Sequence, residues 1–583
     1  MENNPIMEVG LKSQETTNQL FLSPIENLSN IKENNLFLLI EYYLCTGISV
    51  FLWSYFTTSA GFKSYNFIIK NKYFSDYAYL SIFRDYYDNQ WKFFHQNLLS
   101  FILISIIFIF ISKIIKKYNE NQLKLFYAFS GIIFSFYLVQ LRMLYILLAG
   151  VIFYFSKDLV TYGVETFNII CWVELFAVKY LIKYMQNLFD INNISKIFKV
   201  ENDIDNLSWE ILLIYSLLKM MSFNLEYKAI INNETVPESI FNLNQAKSHC
   251  IECYDGNFCS KCLENTIIEE RETIDDSFSF INFISYIFYP PLFYSGPLIN
   301  YNSFIFQINI YKDSQHNNLI KMNKILYLLK LILYVAVMEI YNHFLFPIFL
   351  FKNKEIQFEP NSDISLFYYC FICLNALTFI WLKYTIIWKL FRLWAWSDGI
   401  FVEENMNRFI YNFYSIELFF RGINRSLNRW MVRYLYIPLG GKNKKYINIW
   451  VVFGFWYLIY DFKNIDYAIF ALCCCLFMDL EIFCKKYFID KFGEDFNEII
   501  YLRYLKYIIS AFYLFIIFVI GLFGFFLSLD NLKVIIDTII SKGGNFYFIN
   551  LVLFLLPNIV MVFYIRNMEL QNSILFHKKP LNY

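Results

Sequence analysis

Arg421, Arg425, Arg429 and Arg433 recur every fourth residue in the most polar stretch of an apolar chain, Phe420 to Gly441. Wound as one helix, they drift round one face, Ile423, Leu427, Trp430 and Tyr434 form an apolar stripe on another, and Asn424 and Asn428 share a third line. A row of guanidinium groups suits phosphate, and an amphipathic helix lying in a headgroup layer would use it that way. That reading leaves the paired asparagines unexplained. Pro438 and Gly440-Gly441 are expected to end the helix.

Three further groupings carry chemical potential. Glu339 and His343 stand at i and i+4 inside an apolar run, with Asn342 between them. Ionisable groups at membrane depth are costly, so the pair either lines a wet tunnel or forms a structural hydrogen bond between adjacent turns. Cys250, Cys253, Cys259 and Cys262 have C-x2-C-x5-C-x2-C spacing in the loop 225–276. Four thiolates so placed could hold one zinc ion, or form two disulfides if the loop faces an oxidising compartment. Asp461, after Tyr460, interrupts an apolar run and alone would mark a helix end at the membrane interface.

These residues are set in a chain of 583 residues that is 57% hydrophobic, 21% aromatic and only 17% charged, with a mean hydropathy of +0.40. Such composition excludes ordinary soluble classes and implies a multi-pass membrane protein. A net charge of +1 argues against a nucleic-acid partner. Apolar segments at 37–57, 97–115, 124–157, 167–185, 279–299, 322–352, 364–395, 447–485, 502–529 and 547–566 are about long enough to span a bilayer, which takes roughly 20 residues. The three longest, 124–157, 364–395 and 447–485, have room for two helices each, and 209–221 reads as an interfacial helix. The expected fold is therefore all-α and polytopic, with about ten to twelve transmembrane or re-entrant helices.

A polar tail over 1–36 precedes one membrane domain over 37–566, which carries the cysteine loop 225–276 as an insertion, and 567–583 form a C-terminal tail. No cleavable signal peptide is expected, so the first apolar span would act as anchor. Lys113, Lys116 and Lys117, then Lys442, Lys444 and Lys445, then Lys485 and Lys486 are expected on the cytoplasmic side.

Several stretches in this order resemble the membrane-bound O-acyltransferase family, most closely its glycerol-uptake branch, which includes relatives of hedgehog acyltransferase. They are Lys219 to Asn224, Tyr286 to Pro297, Met338-Glu339 with His343, Phe391 to Trp394, Asp398 to Ile400, Glu404 to Met406, the arginine block through Gly441, and Asn448 to Phe453. The resemblance runs from about residue 205 to 490. It implies tilted helices around a central tunnel, with long-chain acyl-CoA as co-substrate and residence in the endoplasmic reticulum membrane. It also implies membrane lipids as surroundings and a lipid, glycerol or lipid-anchor hydroxyl as acceptor.

By the same resemblance, Arg421, Arg425 and Arg429 become candidates for the coenzyme phosphates, with Asn428, Trp430 and Glu339 as further substrate-binding candidates. Asn424 occupies the position of the family's polar partner residue. The family's base is a histidine in a Trp-His-Asp context, and here Tyr460 stands in that place, followed by the matching Asp461. Acyl transfer to a hydroxyl needs a group to take its proton and another to orient the carbonyl. A phenol, with a reference pKa of about 10, is a weak base near neutrality. Two readings follow: an active O-acyltransferase in which Tyr460 or His343 replaces the lost base, or a lapsed member that keeps the tunnel as a lipid or acyl-CoA binding scaffold or regulator. A polytopic transporter is disfavoured, because no pair of broken helices with inverted symmetry is legible.

Overall fold

The computed structural model describes residues 40–51, 54–55, 84–118, 122–188, 209–232, 275–310, 324–352, 366–406, 408–461, 464–492, 500–525 and 555–566. Among them the regular structure is helical throughout. After a helical segment over 40–51, the chain forms α1 (Asn89–Gln96), α2 (Leu98–Tyr118), α3 (Leu123–Val139), α4 (Met143–Ser156), α5 (Val164–Leu188), α6 (Trp209–Ile231), α7 (Phe280–Ile287) and α8 (Tyr301–Ile310). It continues with α9 (Lys324–Ile340), α10 (Pro347–Lys352), α11 (Leu366–Asp398), α12 (Ile416–Ile423), α13 (Arg425–Met431), α14 (Lys445–Asp461), α15 (Ile465–Phe492), α16 (Ile500–Phe525) and α17 (Leu555–Arg566). Five described stretches are long and apolar enough to cross a membrane: 98–118, 123–161, 324–345, 465–488 and 504–524.

Where lipid replaces water, a spanning helix keeps its apolar residues outside and needs only one stripe for its neighbours. α2 shows this: Phe101, Phe108 and Ser112 are buried, while Leu99, Leu103, Ile106, Ile107 and Phe110 are exposed. α11, 33 residues long, packs against α2, α9, α10 and α16.

Segment breaks follow local chemistry. The run 124–157 divides into α3 and α4 where Gln140 takes φ +51°, and 447–485 divides into α14 and α15. The run 364–395 does not divide; α11 contains neither glycine nor proline, so nothing stops it. The run 322–352 is not one helix: a π-helical turn over Tyr341–Leu345 leads to Phe346 at φ +44°, because Pro347 disfavours helical geometry in the residue before it. Asp85 then satisfies the amides of Ile348 and Phe349 at 2.8 and 2.9 Å.

Two expectations are corrected. Segment 279–299 is no span: after the eight residues of α7 the chain makes a single buried 3-10 turn over Pro290–Leu292 and runs on through Pro297 without regular structure. Segment 209–221 belongs to α6, which has no polar face; Leu212, Leu217, Lys219, Met221, Phe223 and Glu226 are buried round its circumference. It is a core helix, as expected for a helix apolar on all sides, and its polar residues are held by neighbours. Lys219 donates to the Leu292 carbonyl at 2.9 Å.

α3 and the α7 turn touch backbone to backbone at Gly131. A Cβ there would lie 2.1 Å from the Phe288 carbonyl oxygen. Gly131→Ala is therefore expected to lower stability by about 2 kcal/mol or more through a forced backbone shift. A thermal-unfolding midpoint in detergent unchanged from wild type would contradict that contact.

Candidate functional site

The arginine block does not form the single helix that its spacing suggests. Asn424 sits at φ −147°, ψ 80° between α12 and α13, so its residue leaves the helical region and its side chain becomes the N-cap of α13. Its Oδ1 accepts from the Leu427 amide at 3.4 Å, and its Nδ2 donates to the Tyr215 hydroxyl at 3.0 Å. The break is braced from outside: the Asn405 side chain and carbonyl accept the amides of Ser426 and Arg425, and Ser426 Oγ accepts the Leu298 amide at 2.9 Å. A second π-helical turn, Val432–Tyr436, leads to Gly440 and Gly441, both at positive φ.

The apolar stripe packs inward as expected. Trp430 is 1% exposed, donates through Nε1 to the Leu218 carbonyl at 3.2 Å, and stacks on Phe455. It is not among the residues that line the cavity described next.

The block walls a cavity of about 1210 Å³, which Ile423, Leu427 and Tyr434 of the stripe line together with its polar residues. Asn424, Arg425, Asn428, Arg429 and Arg433 face it from α13 and the following turn, Arg421 and Phe420 from α12. Ile449, Val452, Phe453 and Trp456 of α14 with Phe470 and Met478 of α15 form an apolar wall, and Asn168, Glu226, Lys228 and Asn300 a polar one.

Each arginine already has a carboxylate. Glu403 accepts from Nε of both Arg425 and Arg429 at 2.8 Å, Glu417 holds Arg421 at 2.6 Å, and the buried Glu226 holds Arg433 at 2.7 Å. Glu226 also receives the Tyr434 hydroxyl at 2.6 Å and Asn302 Nδ2 at 2.7 Å. Arg421, with a side chain 55% exposed, is the most open of the four. Sequence reasoning missed all three acids, although Glu403 adjoins the quoted Glu404-Asn405-Met406 stretch and Glu417 lies at i−4 from Arg421.

Glu417 also faces Lys445 and Lys485, at 3.5 and 3.8 Å. Burial pushes its carboxyl up, but Arg421, Lys485 and Lys445 together hold it below the ordinary carboxylate range. A carboxyl depressed on folding stabilises above its unfolded pKa, about 4.3, and loses that contribution as pH falls through its folded value. Glu417→Gln is thus expected to flatten the fall in unfolding midpoint on acidification below about pH 5; an unchanged acid limb would show that the cluster does not couple to folding.

Tyr460 lies in the last turn of α14, one turn beyond the cavity-lining Trp456, which it contacts at 5.2 Å between ring centroids. Its ring also stacks on Tyr467 at 6.1 Å, and the Tyr215 and Tyr384 phenols are within electrostatic reach. Lys179 donates to the carbonyls of Leu458 and Tyr460 at 3.2 and 3.0 Å, a cation on the helix C-terminus. Asp461 is the last residue of that helix, and its side chain is outside the described set.

His343 is not brought to Asn424 or Tyr460 by any described contact. It joins Arg84, Tyr86, His95 and Glu339: Arg84 Nε donates to His343 Nε2 at 3.2 Å, and Glu339 lies 3.5 Å from His343, 3.2 Å from His95 and 2.5 Å from Arg84. Neither Glu339 nor His343 lines the cavity. Cys250, Cys253, Cys259 and Cys262 lie outside the described residues, among which no cluster of metal-ligating side chains occurs.

The family model of the membrane-bound O-acyltransferase family matches residues 161–524, well over half of the chain. The chain is 28% identical over 410 residues to the membrane-bound O-acyltransferase GUP1 of Saccharomyces cerevisiae, covering 69% of this chain and 68% of that protein. It is 26% identical to GUP2 of the same yeast, over 64% of this chain and 62% of the relative, and 37% identical to GUP1 of Millerozyma farinosa over a shorter stretch, 32% and 36%.

Proposed function

Since the chain belongs to the membrane-bound O-acyltransferase family, we propose that it transfers a long-chain acyl group from acyl-CoA to the hydroxyl of a lipid, glycerol or lipid-anchor acceptor in the endoplasmic reticulum membrane. The observation that carries this reading is the cavity, where arginines, an apolar wall and Asn424 at a helix break meet. Guanidinium groups at its rim suit the coenzyme phosphates, and the wall of α14 and α15 suits an acyl chain. The acceptor oxygen attacks the thioester carbonyl, the carbon–sulfur bond breaks, and the hydroxyl proton ends on the departing thiol. Asn424 meets the Tyr215 phenol at the helix break and Tyr460 packs on the cavity-lining Trp456, and a neutral phenol is better suited to donating to a developing oxyanion than to removing a proton.

A second reading, a lapsed member that binds acyl-CoA or lipid as scaffold or regulator, is favoured by one observation. Among the described residues no histidine lines the cavity, and both described histidines are tied to Glu339. Acyl transfer from labelled long-chain acyl-CoA in purified protein separates the two, with wild type, Tyr460→Phe and Tyr460→His compared over a panel of lipid and glycerol acceptors. Turnover that falls in Tyr460→Phe supports a working tyrosine. Turnover only in Tyr460→His, with acyl-CoA binding retained in wild type, supports the lapsed reading.

The ion pairs add a test of the mouth. Glu403→Gln releases two guanidinium groups and is expected to tighten CoA binding several-fold, whereas Arg429→Ala weakens it by about ten-fold. Binding indifferent to both would make these arginines structural.

A further inference from the structure

A second cationic region lies apart from the cavity, where the end of α2, the start of α9 and the last turns of α11 meet. Lys116, one turn after Lys113, reaches Asp398 at 3.0 Å and Lys324 donates to the Trp396 carbonyl at 3.2 Å, while Lys389 lies 4.8 and 5.7 Å from the ring centroids of Tyr327 and Tyr334, which flank Lys330 on α9, with Arg392 one turn further along α11. Against these six cations, two carboxylates among the described residues are bonded into the cluster. Asp398 takes Lys116 at 3.0 Å, and Glu404 takes Lys389 and, at 3.9 Å, Arg392. Ring faces hold much of the rest: Lys324 is 5.7 Å from the Trp396 centroid, Lys389 4.8 Å from that of Tyr327, and Arg392 5.3 and 5.5 Å from those of Tyr327 and Trp396. Adjacent Glu403 and Glu404 thus divide their charge, one to the cavity arginines and the other to this cluster.

Lys113, Lys324 and Lys330 are exposed, and the apolar side chains beside them are exposed too, Ile114 on α2 and Ile325 and Leu329 on α9. Water does not cover such surface in a membrane protein; acyl chains do. Like charges gathered at the edge of a lipid-facing surface repel one another unless an anion joins them, and the anion available at that level is a headgroup phosphate.

We propose that Lys113, Lys324 and Lys330, backed by Lys389 and Arg392, form a binding site for the phosphate of an anionic phospholipid whose chains lie along the exposed faces of α2 and α9. A lipid is favoured over soluble phosphate because the lysines rise from apolar surface that only acyl chains can cover. The proposal is independent of acyl transfer and holds for either reading of the cavity.

Native mass spectrometry of the full chain in detergent, titrated with phosphatidic acid, phosphatidylinositol and phosphatidylcholine, tests it. Wild type is expected to retain an anionic lipid about ten-fold better than phosphatidylcholine, and Lys113→Gln/Lys324→Gln/Lys330→Gln to lose that preference. The corresponding triple arginine variant keeps it, and the single variant Lys330→Gln, on an exposed face, gives a partial loss should the triple variant fold poorly. Equal retention of all three lipids by wild type would reduce the lysines to interfacial anchors and overturn the site. Loss of lipid to added CoA, with CoA binding abolished in the triple variant, would assign the cluster to the coenzyme and overturn it equally.

Discussion

Asn424→Ala is expected to lower acyl transfer by about two to three orders of magnitude, the usual consequence of removing a preorganised donor beside a reacting carbonyl. Asn424 has two tasks that a single substitution confuses. Its Oδ1 caps α13 through the Leu427 amide, and its Nδ2 holds the Tyr215 hydroxyl. Loss of the cap alone costs about 1 kcal/mol of stability and leaves turnover per folded molecule unchanged. Asn424→Ser separates the two, because a serine hydroxyl still caps the helix but has no reach to Tyr215. Activity should therefore fall in both variants while the unfolding midpoint drops only in the alanine variant. Full turnover in Asn424→Ser would confine Asn424 to capping and move the proposed chemistry elsewhere in the cavity.

The legible part of this site was the part written in local spacing. The length of the runs 124–157 and 447–485 left room for the two helices that each holds, and the apolar stripe of Leu427, Trp430 and Tyr434 is buried as its periodicity demands. The helix break at Asn424 was not legible, because Phe420 to Tyr434 is a consistent amphipathic helix by pattern. What breaks it is tertiary: Asn405 and Tyr215 offer bonds that a continuous helix would forgo. Partners of the arginines were hidden for a related reason. Glu403 and Glu226 come from other elements, and a four-residue period says nothing of what lies across a cavity.

Glu339 and His343 illustrate the converse. Their i, i+4 spacing correctly suggests a contact, 3.5 Å in the structure, yet the stronger bonds come from Arg84 and His95, which stand before the apolar run of α2. The pair thus ties the segment around α1 to the break after α9.

The largest loss of stability is expected from Asp398→Ala, about 3–5 kcal/mol. Asp398 is fully buried, with Lys116 at 3.0 Å and only 6% exposed beside it. Ser112 Oγ donates to one carboxylate oxygen at 2.5 Å, and the Tyr127 and Tyr289 hydroxyls donate to the other at 2.6 and 2.5 Å. One side chain therefore joins α2, α3, the turn after α7 and the end of α11. Alanine would remove the counter-charge of Lys116, whose ammonium keeps only the main-chain carbonyl of residue 398 from this pairing, and the carboxylate that accepts three hydroxyls, and each weakened group carries its own desolvation cost. Asp398→Asn keeps an acceptor but not the charge, so its loss should be smaller and traceable chiefly to Lys116. Combining it with Lys116→Met should then recover part of the loss, since neither partner is left charged and alone. Unfolding in mixed micelles by increasing sodium dodecyl sulfate fraction reads all four proteins on one scale. If the double variant is no more stable than Asp398→Asn, the phenols rather than the ion pair hold this junction together, and Tyr289→Phe becomes the substitution to compare.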